Sequence, residues 1–148
     1  MRKIIIYLLI LSLWLINMII FPINVGYFLS LNTPIFTINY HIIPIIQIIV
    51  YILNSTSLYY LIKEYDLDND FNFIIIMSYL SHELYPLLFF YLNSLLLPPI
   101  ISIISTTSTY FLIIETKKIN KTLSVLFIPY FLLNIYTTIL SISIYLLN

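Results

Sequence analysis

The sequence predicts an all-α membrane protein, a bundle of five transmembrane helices, and three observations carry that prediction. First, five long apolar stretches fill most of the 148 residues: Ile4–Phe21, His41–Ile62, Phe71–Leu92, Leu97–Ile114 and Leu123–Leu147. Each is close to the ~20 residues that cross ~30 Å of hydrocarbon at ~1.5 Å per residue. Second, if all five cross, Arg2, Lys3, Lys63, Lys117, Lys118 and Lys121 share one face and the opposite face carries no Lys or Arg. That is the charge bias of multi-pass proteins, and it puts the basic face in the cytosol and Asn148 on the far side. Third, the chain is 61% hydrophobic and only 8% charged, with a mean hydropathy of +1.05, whereas a soluble domain carries about 25% charged residues. Residues 1–148 are read as a single membrane domain.

The same composition excludes several classes of function. The basic residues are few and most acids sit beside them, so no groove can neutralise a nucleic-acid backbone. With no Cys there is no disulfide, thiolate metal site or Cys nucleophile. No Gly-rich phosphate cradle or nucleophile turn is available to a chain with a single Gly. No cofactor is implied, and the partner that composition implies is membrane lipid.

The first stretch starts like a signal peptide but lacks a small-residue cleavage pattern, so it reads as helix one. Its polar interruptions are Ser12 and Asn17, and it holds the sole Trp, Trp14. The long gap that follows, with Asn24, Asn32, Pro34 and Asn39, is uncharged but turn-rich, and is expected to fold back over the bundle mouth. The second stretch has Pro44 in its first turn, where a missing N–H costs little. Gln47, Tyr51, Asn54 and Leu58 recur there on one helical face. The next gap alternates Glu64, Asp66, Asp68 and Asp70. It lacks the central Gly and later Glu of a Ca²⁺ loop and reads as a solvated turn.

The third stretch places His82 and Glu83 near its centre, with Pro86 one turn later. An ionised carboxylate at mid-bilayer costs at least ~2.5–3.5 kcal/mol, so Glu83 must be neutral, paired or beside a wet cavity. Pro86 leaves the His82 carbonyl without its i+4 donor; that carbonyl and Glu83 are expected to form a polar shelf meeting Tyr51, Asn54 or Asn134. His82 as an axial haem ligand has no partner His at matching depth. The fourth stretch opens on Pro98-Pro99 and carries Ser102, Ser105, Thr106 and Thr109 along one side, a small-residue stripe that permits close helix approach or a homodimer contact. In the fifth, Tyr130, Asn134, Thr137, Ser141 and Tyr145 form another polar face. In lipid such stripes should face each other or an internal cavity.

In this order the features resemble the TspO/MBR family of tryptophan-rich sensory and translocator proteins. Ile128-Pro129-Tyr130-Phe131-Leu132, followed by Thr137-Thr138, Leu140 and Ser141, is similar to the family's fifth helix. Tyr85-Pro86 with Phe89-Phe90 resembles the third-helix segment, Leu31 with Pro34-Ile35-Phe36-Thr37 the first loop, and Tyr51 the helix-two Tyr. The family's Trp positions read Tyr27, Phe36, Gln47, Glu83, Tyr85 and Leu133 here. The resemblance, covering roughly Phe21 to Asn148, implies a five-helix bundle, often a homodimer, with a cavity under the first loop.

The resemblance also implies a receptor or sensor for a planar hydrophobic ligand, a porphyrin (haem included) or a sterol, without enzymatic turnover. Tyr27 and Phe36 would cap the cavity, and Gln47, Tyr51 and Asn54 would line it from the second helix. His82, Glu83 and Tyr85 from the third and Tyr130, Asn134, Thr137 and Ser141 from the fifth complete the expected site. Photochemical porphyrin breakdown is expected to be weak, because Gln47 and Leu133 supply no ring. Two other readings stay open at this point: a small proton-coupled transporter using Glu83, and a structural membrane subunit without a ligand.

Overall fold

Seven α-helices and one π-helical turn make up the architecture of the computed structural model, which describes residues 2–148 and the side chains of residues 4–148. They are α1 (Arg2–Ile20), α2 (Val25–Ser30), α3 (Ile43–Glu64), α4 (Asn69–Pro86), the π-helical turn (Leu87–Tyr91), α5 (Leu97–Ile119), α6 (Lys121–Leu126) and α7 (Ile128–Leu147). Helix α3, α4 with its π turn, α5, and α6 joined to α7 are each long and apolar enough to cross a bilayer. Helix α1 is shorter, its apolar part running over Ile4–Ile20, yet its 19 residues span about 28 Å. The protein is a multi-pass integral membrane protein built as a five-helix bundle.

Helix ends depart from the sequence expectation where capping and proline chemistry intervene. Helix α4 begins two residues earlier than expected because the Asp68 carboxylate accepts the Phe71 N–H at 2.7 Å, an N-cap that satisfies an otherwise orphaned donor. Its far end is remodelled by Pro86. The ladder widens into the π turn, closed by Leu92 N–H to the Leu87 carbonyl at 2.9 Å, and ends at Asn93 with φ 50°, a left-handed conformation that Asn tolerates. Helix α5 runs one turn past the expected Ile114, through Glu115 and Lys118, which pair at 2.6 Å across one turn. The fifth stretch is broken at Phe127, since Pro129 has no N–H to offer the carbonyl four residues back; Asn120 caps α6 by accepting the N–H groups of Thr122 and Leu123.

Around the bundle, α1 packs on α3, α3 on α6 and α7, α7 on α5, α5 on α4, and α4 returns to α1. The small-residue stripe of α5 is consumed inside this ring. Ser102, Ser105, Thr109 and Thr116 are buried, the Thr109 hydroxyl bonds to Ser78 of α4 at 3.0 Å, and Thr106 bonds to Thr138 of α7 at 2.9 Å. Outward faces are large and apolar, with Ile16, Ile49, Phe73, Ile103 and Leu132 exposed, as lipid as a solvent demands.

The two ends differ chemically. Lys63, Lys117, Lys118 and Lys121 lie at one end with Glu64, Asp66, Asp68, Asp70 and Glu115; the basic pair Arg2 and Lys3, expected on the same face, lies outside the described side chains. At the other end the first loop is tied down without charge. The Asn148 amide accepts the Asn32 N–H at 2.9 Å and donates to the Asn32 carbonyl at 3.0 Å. The Ile38 N–H donates to the Tyr136 hydroxyl at 2.8 Å, and the Tyr27 hydroxyl donates to the Asn93 carbonyl at 3.1 Å.

Candidate functional site

Beneath the first loop the bundle is not filled. An inner chamber of about 70 Å³ is walled by all five crossings and roofed by Ile23, Phe28 and Ile38. An outer cleft of about 370 Å³ opens between the end of α1 and the start of α3, lined by Met18, Phe21, Pro22, Tyr40, His41 and Pro44. Chamber and cleft share Asn17, Ile23, Gln47, Pro86 and Phe90 as common walls, so they form one stepped site. The space exists partly because Pro22, Pro44 and Pro86 line it: each marks a place where regular helix packing is interrupted.

The chamber's polarity is supplied by uncharged groups. Asn17 comes from α1, Gln47 from α3, His82 from α4, Ser102 and Ser105 from α5, and Asn134 and Thr137 from α7. Several are already engaged. His82 Nε2 and the Tyr51 hydroxyl are 2.9 Å apart, and the Asn134 amide donates to the Thr109 hydroxyl at 2.9 Å. Thr137 and Ser102 hydroxyls donate to the backbone carbonyls of Leu133 and Pro99. Ser105 Oγ is buried with no hydrogen-bond partner, which leaves it capacity for a guest.

Of the residues expected from the sequence, Gln47, His82, Tyr85, Asn134 and Thr137 lie in the chamber wall. Tyr51 and Tyr130 are fully buried behind it in an aromatic core around Trp14, 2% exposed, whose ring lies 5.7 Å from Tyr51, 5.9 Å from His82 and 5.3 Å from Tyr130. They support the wall through His82. Ser141 stands outside the wall but bonds the Tyr85 hydroxyl at 2.9 Å, while Tyr85 stacks on Phe89 of the π turn. Asn54 is buried within α3 with both amide atoms unpartnered. Tyr27 braces the loop to Asn93, and Phe36 points outward, 49% exposed.

Glu83 is half-buried and turns toward α1, where Asn17 is its polar neighbour; its Oε1 is buried without a hydrogen-bond partner. The polar shelf therefore forms differently from expectation. His82, not Glu83, meets Tyr51, because successive helical residues point ~100° apart and only one of the two can face the interior.

Sequence reasoning missed Asn17, Phe28, Phe90, Ser105 and Tyr136 as wall residues. Asn17 had a signal, being one of two polar breaks in an otherwise apolar stretch. Phe28 and Tyr136 had none, since apolar or amphipathic residues in a lipid-soluble chain look alike whichever way they point. At the opposite end a second groove of about 420 Å³ is lined by Asp66, Asp68, Asp70, Glu115 and Lys118. Asp68 is spent on its cap and Glu115 on Lys118; among the described residues no three His, Asp or Glu side chains are placed to hold a metal ion.

The TspO/MBR family model matches residues 4–147, nearly the whole chain. No curated protein matches it.

Proposed function

The chain belongs to the TspO/MBR family, and from that premise we propose that it is a membrane receptor that binds a flat hydrophobic molecule, a tetrapyrrole or a sterol, beneath its first loop. The observation that carries this reading is the stepped site: an apolar cleft continuous with a small chamber in which neutral polar groups from five helices converge. Ligand sites are typically apolar hollows of ~300–1,000 Å³ with a few polar anchors. The cleft, about 370 Å³, lies in that range. The chamber, about 70 Å³, is room for one or two water-sized groups of ~30 Å³ each. The ring system of a guest would rest in the cleft, and only a substituent would reach His82.

The reading is of a binder, without turnover. The walls offer amides, hydroxyls and two imidazoles, His82 in the chamber and His41 in the cleft, and among the described residues no carboxyl lines either space to pair with them. Trp14, the sole tryptophan, lies 5.9 Å from the His82 ring and so reports on occupancy. Titration of purified protein with protoporphyrin is expected to quench Trp14 emission saturably, with bleaching of the bound pigment no faster than with denatured protein. Ile23→Trp, which fills a wall shared by cleft and chamber, should weaken binding by about tenfold or more while costing ~1–3 kcal/mol of stability. Non-saturable quenching, or Ile23→Trp affinity equal to wild type, overturns the assignment.

A further inference from the structure

The stepped site lacks one thing a tetrapyrrole's carboxylates require, a cation. Among the described residues no Lys, Arg, Asp or Glu lines the chamber or the cleft. The one imidazole of the cleft, that of the exposed His41, stands at its mouth. The described lysines all sit at the opposite end of the bundle, Lys63 at the end of α3 and Lys117, Lys118 and Lys121 around the α5–α6 junction. The first loop, the Asn93–Leu96 connection and the end of α7 contain no charge of either sign. The ionisable side chain beside the wall residue Asn17 is an acid, Glu83, and not a base.

The polar groups present are of another kind. Asn17, Gln47 and Asn134 are primary amides, each able to donate and to accept, and Ser105 Oγ is an unpartnered hydroxyl with the same dual capacity. Such a set satisfies a hydroxyl or carbonyl completely, whereas a buried carboxylate needs a cation or several converging donors in place of its lost water. The chamber is also too small, at about 70 Å³, for a carboxylate to bring hydration with it.

Resting on the receptor reading above, we infer that the site selects by charge: it takes an uncharged apolar ligand whose single hydroxyl or carbonyl enters the inner chamber, and it discriminates against carboxylate-bearing molecules of the same shape. The neutral amides of α1, α3 and α7 and His82 of α4 hold the head group, and the uncharged cleft holds the body.

The test uses the full chain in nanodiscs, with Trp14 quenching as readout and empty nanodiscs as the partition reference. Two matched probe pairs are compared: protoporphyrin IX diacid against its dimethyl ester, and, in competition with the ester, cholesterol against cholestane, the same ring body without the hydroxyl. The ester is expected to bind at least about tenfold more tightly than the diacid, and cholesterol to compete at least about fivefold better than cholestane, since the diacid and the hydrocarbon respectively leave a charge or the chamber's polar groups unpaired. Gln47→Lys places a cation in the wall shared by cleft and chamber and should shift the ester-to-diacid ratio toward the diacid by about tenfold; Gln47→Met, of similar size and no charge, should not. If Gln47→Lys does not fold, His41→Lys at the exposed mouth should shift the ratio in the same direction. Equal or tighter binding of the diacid, or a ratio unmoved by the lysine, overturns charge selection while leaving the receptor reading standing. Absence of saturable quenching by both porphyrins overturns the receptor reading and this inference with it.

Discussion

The interior of the bundle around Trp14 and the interior beneath the first loop are made of the same helices and nearly the same residue types, yet one is packed solid and the other is hollow. In the first, Trp14 is enclosed by Tyr51, Tyr79, His82 and Tyr130, with ring centroids between 5.3 and 5.9 Å away. Leu58, Leu61, Phe71, Leu112, Leu123 and Phe127 complete one continuous core. In the second, a smaller core of Phe28, Phe89, Leu140 and Ile144 stands beside the chamber and the cleft. The comparison teaches that hydrophobicity does not distinguish a core from a binding site in a membrane protein, because lipid tails are as apolar as either. What distinguishes them is whether the backbones are regular enough for side chains to meet. Around Trp14 the one break, between α6 and α7, is filled by Phe127 itself, fully buried; beneath the loop Pro22, Pro44 and Pro86 border a space that no side chain fills.

The largest expected effect belongs to the solid half. Trp14→Ala should cost ~3–5 kcal/mol, as a large aromatic leaves a cavity its neighbours cannot close; thermal unfolding in detergent measures it. A loss below about 1 kcal/mol would mean that this half is no better packed than the other.

Next in size is the hydrogen bond at the boundary between the halves. Tyr51→Phe strips His82 Nε2 of its 2.9 Å partner and should cost ~1–3 kcal/mol. A double-mutant cycle with His82→Leu should give a coupling of ~0.5–3 kcal/mol. His82→Leu should weaken ligand binding as well, while Tyr51→Phe, behind the wall, should act mainly on stability. Equal losses of affinity in both variants would place Tyr51 in the wall.

Glu83 sharpens the comparison from outside both cores. It is absent from the walls of chamber and cleft, so Glu83→Leu should leave ligand affinity within about twofold and be neutral or stabilising, as expected when an unpaired polar group in an apolar setting is removed. A large loss of affinity, or a proton flux through liposomes that Glu83→Leu abolishes, would restore the carboxyl to the site and favour a transporter.

The smallest effects concern the lid. Asn148→Ala removes both bonds of the amide to Asn32 and should speed ligand release several-fold with a stability change of about 1 kcal/mol. Burial raises the pKa of Tyr27, so the folded state favours its neutral, donating hydroxyl. That contribution is whole below the ordinary tyrosine value of ~10 and is lost as pH climbs through the raised one. Lid opening, followed by proteolysis of the first loop, should therefore be level across neutral pH and increase only in strongly alkaline solution; a rise between pH 6 and pH 8 on the order of tenfold would assign the latch to another group.

By itself the sequence determined the number of crossings, the segregation of lysines to one end, the family and the turn-rich loop over the mouth. These follow from run length, charge position and residue order, which the bilayer reads one segment at a time. It also marked Gln47, His82, Tyr85, Asn134 and Thr137, since a polar residue in an apolar run must find company. Only the tertiary structure decided that His82 turns inward and Glu83 toward α1, that the α5 stripe is used up within the bundle, that Phe127 breaks the last crossing, and that Asn17 and Phe28 border the chamber. Apart from the break, which Pro129 sets through its missing N–H, those outcomes depend on the rotation of each helix about its own axis. Lipid on the outside is as apolar as the core within, so hydropathy leaves that rotation free, and the packing of five helices against one another sets it.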